Sequence, residues 1–303
     1  MNLSTQRNFG RSGLTLPEVL LVAAFIILAA LFLLMRLPRG REQARATACL
    51  SNLNQIGQSI GFYVESNGAF PANEPWPAPA AKPGSSVLTK LRDQGDLSSF
   101  VDVRAQVDPA TKRKKDARPA VPAGLRCPAD RASGTSSATS YRANAGSEPA
   151  GSSGPFAIGK RVTPGEVDAA DGLAFTAAFA ERLIGTATGP PGPSGYVNVE
   201  TCADLTSERL VSPGADASWA RDAGHDWSRG DWVMTLYHHG LRPNAPVSAV
   251  ASKENCAMIG SSSGHRGLVH VLLLDGSARA WRDTVDIGVW GRLGNFSDAA
   301  PPR

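Results

Sequence analysis

The sequence predicts an α+β protein: one long N-terminal helix, apolar at its start and amphipathic beyond, packs on a domain of antiparallel strands with loop-rich insertions. Three observations carry this reading. Val19 to Met35 is a run of seventeen residues without a charge, Ala46 to Tyr63 repeats apolar residues every three or four positions, and Gly267 to Asp283 reads strand, Asp-Gly turn, strand.

Composition bounds the rest. Gly 31 and Pro 22 in 303 residues, with only 19% charged residues, imply that much of the chain is loop. Thirty-one basic against 27 acidic side chains give a net charge of +4, too mild for a nucleic-acid binder. The densest basic run, Thr111 to Pro119, sits among prolines and polar residues and reads as a solvated loop. Cys49, Cys127, Cys202 and Cys256 are far apart and form no CxxC, which speaks against a paired-cysteine zinc site. Outside the cytoplasm they allow up to two disulfides, in any of three pairings.

The apolar run is roughly 26 Å long as a helix, just enough to cross a bilayer. It is longer than the core of a secretory signal peptide and leads into "MRLPRGREQAR" without a clean cleavage site. Arg7 and Arg11 precede it while Arg36, Arg39, Arg41 and Arg45 follow, so positive charges leave its orientation open. Glu18, a carboxylate against apolar neighbours, is expected either to reach water at the interface or to find a partner in an assembly. Pro38 and Gly40 are expected to interrupt or bend the rod. Beyond them Ala46, Cys49 or Leu50, Leu53, Ile56, Ile60 and Tyr63 form an apolar stripe opposite Arg45, Asn52, Gln55 and Gln58. The helix should close at Asn67-Gly68, so that Leu14 to Ser66 would span roughly 80 Å.

Pro71 to Pro83 reads as an extended excursion, Ser86 to Phe100 as a short helix, and Ala105 to Pro122 as polar loop. Short strands are expected at Leu125, Thr139 and Gly154, and a capped helix over Asp171 to Leu183, "DGLAFTAAFAERL". Trp76, Trp219, Trp227 and Trp232 need either a core or a partner surface. Near the C-terminus Val269, Val271 and Leu273 alternate with His270, Leu272 and Leu274, both sets largely apolar, so this strand should be interior to its sheet. A two-residue Asp275-Gly276 turn would set Leu274 opposite Ser277, Leu273 opposite Ala278 and Leu272 opposite Arg279. Asp283 and Asp286 suggest a capping box for a helix through Val285, Val289 and Leu293.

His225, Asp226, Asp231, His238, His239, Cys256, His265, His270 and Asp275 invite an enzymatic reading. No HExxH occurs, however, and the adjacent His238 and His239 should diverge on regular backbone. Ser262 of "GSSSG" leads into a strand, where a nucleophile elbow needs a helix. A non-enzymatic protein without cofactor or metal is expected, and a secreted metal-dependent hydrolase is the weakest reading. His265 and Asp275 should lie at opposite ends of a strand and be structural: Asp275 holds its turn, while His265 bonds backbone or a carboxylate.

"GLTLPEVLL", Gly13 to Leu21, resembles the type IV prepilin and pseudopilin signal. The resemblance implies a cut by prepilin peptidase between Gly13 and Leu14, which leaves Glu18 as the fifth mature residue and makes Leu14 the residue to be methylated. Leu14 departs from the usual Phe or Met. "SSSGHRGLVHVLLLDGSARAW", with "ACLSNLNQIGQSIGFY", "RCPAD", "SYRANAG" and "DGLAFTAAFAER" before it, resembles a large planctomycete family of prepilin-like proteins, that of domain of unknown function 1559. Its C-terminal motif, a histidine, nine residues and Asp-Gly, falls on His265, Asp275 and Gly276.

Together these resemblances imply a cytoplasmic leader at 1–13 and a single inner-membrane helix at 14–37. A helical extension at 38–68 would follow, then a pilin-like domain at 69–303 that faces the periplasm or surface and includes the hairpin at 265–282. They imply a structural subunit of an envelope filament or type II secretion-like assembly, with like subunits or other pseudopilins as partners. The alternative is a surface module for a polysaccharide or protein ligand.

Overall fold

The computed structural model describes residues 15–74, 84–92, 94, 123–132, 137–186, 192–205 and 218–296, with backbone alone at 30–39. Gly13, Leu14, Trp76 and the loop at 105–122 lie outside the described residues. The chain divides into two compact units, Met1–Ala44 and Arg45–Arg303.

Helix α1 (Leu16–Asn67) is 52 residues long. It starts on a Thr-x-x-Glu cap: Thr15 N–H and Oγ1–H both donate to Glu18 Oε2, at 2.8 and 2.9 Å, while Val19 N–H donates to the Thr15 carbonyl at 3.1 Å. Pro17, in the first turn, forgoes an N–H that the helix would leave unbonded. The expected interruption at Pro38 and Gly40 is absent, and helix runs through both. One lost hydrogen bond does not end a helix with many intact turns on either side. In the first unit Leu16 (75%), Phe25 (74%) and the apolar residues between them are exposed. Among the described residues no helix is long and apolar enough to cross a membrane, and the expected span continues through 30–37, where only backbone is described.

In the second unit α1 buries Cys49, Leu53, Ile56 and Ile60, the expected stripe, and ends where Gly68, at φ +69, donates to the Val64 carbonyl at 2.7 Å. The described part of the helix expected over 86–100 is α2 (Val87–Leu91), capped by Ser86. Helix α3 (Pro164–Ala170) has a full capping box between Thr163 and Glu166, with Pro164 at its start.

Among the described residues nine strands form two sheets. The larger contains β1 (Tyr141–Asn144), β2 (Ala177–Glu181), β5 (Leu236–Tyr237), β8 (Leu268–Leu273) and β9 (Ala278–Arg282), in the order β5-β1-β2-β8-β9. The smaller contains β3 (Tyr196–Val199), β4 (Trp219–Ala220), β6 (Ala249–Ala251) and β7 (Ala257–Met258), in the order β4-β3-β6-β7. Both are mixed, not antiparallel as expected, because β1 runs parallel to β5 and β3 parallel to β6. Those parallel partners are far apart in sequence, which leaves room for the crossover that parallel pairing needs.

Strand β8 is interior and buried on both faces, as its alternation predicts. Leu272 packs into the core shared with α1, whereas Val269, Val271 and Leu273 pack with Trp290 and Leu293 of helix α4 (Ile287–Gly294). The cap of α4 is Asp286 alone, which accepts from Gly288 and Val289 N–H at 2.9 and 3.0 Å; the expected Asp283–Asp286 box is not formed.

Three further expectations fail. Asp171 to Leu183 is not a helix: Leu173–Phe175 is a short 3-10 turn and Ala177–Glu181 is the fully buried β2. Asp171-Gly172 closes α3 instead, Gly172 at φ +88 donating to the Val167 carbonyl at 2.9 Å. Of the short strands expected at Leu125, Thr139 and Gly154 only β1 forms; Leu125 ends a 3-10 turn, and Ile158 makes a single bridge to Asn73. The hairpin register also differs by one residue, with Leu272 opposite Ala278 and Val271 opposite Arg279. Gly276 N–H bonds the Leu273 carbonyl at 3.0 Å and Leu273 N–H bonds the Ser277 carbonyl at 2.8 Å, so the loop is the three residues Leu274, Asp275 and Gly276.

Candidate functional site

His265 enters a buried polar cluster at the end of β2. A register shift between Ala177 and Phe179 inserts one extra residue, Ala178, into β2. Strict alternation from Ala177, which faces α4, would turn Glu181 to that side too; the bulge turns Phe179 and Glu181 toward α1. Glu181 then meets His270, which shares the α1 side of β8 with Leu272. His270 N–H donates to Glu181 Oε2 at 2.9 Å, and its Nδ1 lies 3.0 Å from Oε1.

His265 lies just before β8, where Gly267, at φ +69, turns the chain into the strand. Its Nε2 is 3.7 Å from Glu181 Oε1 and 3.8 Å from Cys127 Sγ, and its ring meets that of His270 edge to face at 4.7 Å. Cys127 is bonded to Cys49, so the cluster is tied to α1. Glu181, His265 and His270 are all buried. At the other end of β8 the exposed Asp275 accepts from Ser277 N–H and Oγ–H at 2.9 and 2.7 Å, while Gly276 takes φ +85. His265 and Asp275 therefore sit at opposite ends of β8, Asp275 bonded within its turn and His265 beside the Glu181 carboxylate.

The second disulfide, Cys202–Cys256, braces the smaller sheet, and Glu254 lies beside it. Of the three pairings left open, the chain has Cys49–Cys127 with Cys202–Cys256.

The residues singled out for hydrolysis do not converge. Among the described residues, His225, Asp231, His238 and Cys256 do not bring their ligand atoms within 4.8 Å of one another, and Cys256 is a disulfide half. His238 and His239 diverge. His238 Nδ1 accepts from Ile259 N–H at 3.2 Å, whereas His239 accepts from the Tyr237 hydroxyl at 2.7 Å and donates through Nδ1 to the Trp290 carbonyl at 2.8 Å. Burial pushes both imidazoles down to about 3. Ser262 is spent on structure, donating to the Pro193 carbonyl at 2.9 Å and accepting from Leu183 N–H at 3.1 Å. Trp227 and Trp232 are buried and Trp219 is half-buried.

Two charged residues that the sequence reading passed over matter here. Glu181 organises the cluster, and its signal was an acidic-basic pair, Glu181-Arg182, closing an alanine-rich apolar run. Arg142 is fully buried in β1; desolvation draws its guanidinium down to about 10 against the opposing pull of Asp231 and Asp130.

A long N-terminal helix whose second half enters a mixed-sheet domain, with a disulfide and a His–Glu cluster bracing that junction, defines a disulfide-stabilised α+β protein. Residues 38–288 match the model of the family described as Protein of unknown function (DUF1559), and the chain belongs to that family. No curated protein and no solved structure matches it.

Proposed function

We propose that the protein is a membrane-anchored, prepilin-like structural subunit and not an enzyme. The observation that carries this reading is the exposed apolar surface of α1 from Leu16 through Leu28 on a helix that continues into the folded domain. A contiguous apolar surface of this kind calls for lipid or like helices. In the proposed pathway prepilin peptidase cuts between Gly13 and Leu14, residues 14–37 hold the chain in the inner membrane, and the domain faces the periplasm or surface. The helix then packs among like subunits or other pseudopilins in an envelope filament or type II secretion-like assembly. Helices gain no hydrophobic stabilisation from one another within lipid, so close packing and the Glu18 carboxylate supply the specificity. Of the tryptophans on which a ligand-binding reading would rest, Trp227 is buried, Trp219 is half-buried and Trp76 lies outside the described residues.

Glu18 also caps α1, and two substitutions separate its roles. Glu18→Gln keeps a side chain able to reach back to Thr15 but removes the charge, whereas Glu18→Ala removes both. Crosslinking of membranes that carry equal amounts of each protein should give several-fold fewer oligomers for both variants than for wild type. Wild-type yields from Glu18→Gln would contradict a charge-dependent assembly contact.

A further inference from the structure

The anchor and its assembly make no use of the buried cluster at the end of β2. One ligand atom each from Cys49, Cys127, Glu181 and His265 lies within 4.8 Å of the others, and all four residues are buried. Cys127 Sγ approaches Glu181 Oε1 to 3.4 Å and His265 Nε2 to 3.8 Å. A disulfide sulfur carries no proton, so in the oxidised chain Sγ and the carboxylate meet as two lone-pair-bearing atoms. With the sulfurs reduced, the same positions present two thiolates, an imidazole nitrogen and a carboxylate oxygen, the donor set of a closed tetrahedral zinc site. Glu181 is already oriented for such a role, because His270 holds both of its oxygens, and an outer hydrogen bond of this kind fixes a ligating carboxylate.

We propose that reduction of Cys49–Cys127 converts this cluster into a zinc site with Cys49, Cys127, His265 and Glu181 as ligands. A dithiol reductant delivers two electrons and two protons to the S–S bond and leaves as its own disulfide. Zinc then displaces the two thiol protons and binds both thiolates. The ion replaces the covalent link between α1 and the segment before β1 with a coordinate link at the same point. Zinc belongs to the reduced protein and the disulfide to the oxidised one.

The test uses the full chain in detergent with Cys202→Ser and Cys256→Ser, which removes the other cysteine pair and its neighbouring Glu254 as a competing site. After reduction and removal of the reductant, the chain should take up one zinc ion per molecule, and the oxidised chain none. Cobalt(II) in place of zinc should show thiolate-to-cobalt charge transfer in the near ultraviolet and tetrahedral bands in the red. His265→Ala and Glu181→Gln should each weaken zinc binding more than tenfold. The cobalt spectrum of the chain with His265 and Glu181 intact needs no further variant to fold. A reduced chain that takes up no zinc at micromolar concentration, or a cobalt complex without the charge-transfer band, would overturn the proposal.

Discussion

His238 and His239 are neighbours in the chain whose rings go to different partners, and both are fully buried as neutral imidazoles, held down to about 3 against an ordinary 6.5. The unfolded chain takes up a proton at each below about 6.5, which the folded chain does not until about 3, so stability is complete above that window and falls as pH drops through it. The slope is at most about 1.4 kcal/mol per pH unit for each histidine. Asp130 and Asp231, whose carboxyls burial pushes up, act in the opposite sense at the acidic end, so the histidine contribution is best read as a difference. Urea midpoints between pH 7 and 4 should fall more steeply for wild type than for His239→Gln. Parallel profiles would show that His239 is not the buried neutral group described.

Among the elements, the β8–β9 hairpin depends on its loop. Gly276 takes φ +85, and a methyl group added there would meet nothing within 4 Å, so Gly276→Ala isolates the backbone cost of a left-handed residue, about 1 kcal/mol. Thermal unfolding should show a drop of a few degrees with unchanged circular dichroism. No change would mean that the loop readily adopts another form. The same hairpin shows where sequence reading stops: Asp-Gly marks the turn, but whether it closes as two or three residues depends on strand twist and packing. Local periodicity and caps made α1, its end at Gly68, the two-sided burial of β8 and the position of α4 legible. Asp171 to Leu183 was not legible, because alanine favours helix in isolation, the bulge at Ala178 breaks the period of two, and Asp-Gly can open a helix or close one. Thr163-Pro164-Gly165-Glu166, by contrast, is a plain helix start, with a capping threonine, a proline in the first turn and a glutamate that returns the cap. Glu181 was missed with the segment that holds it, while His265, Asp275, Gly276 and the four cysteines were legible as residues. Their grouping around a disulfide was not, since no spacing rule joins positions 78 apart.

For the whole molecule, family membership and a doubly disulfide-braced domain are in hand, and the account turns on the fate of the N-terminus. If the protein is a retained, processed anchor, then the apolar half of α1 stays with the finished chain and begins at the residue after Gly13. Intact mass of the chain extracted from membranes tests this most directly. The account predicts a single species that starts at Leu14, with or without one methyl group, and loses no other segment. A soluble mature chain lacking residues 14 to 35, or a membrane-bound chain that still carries its first thirteen residues, would contradict it.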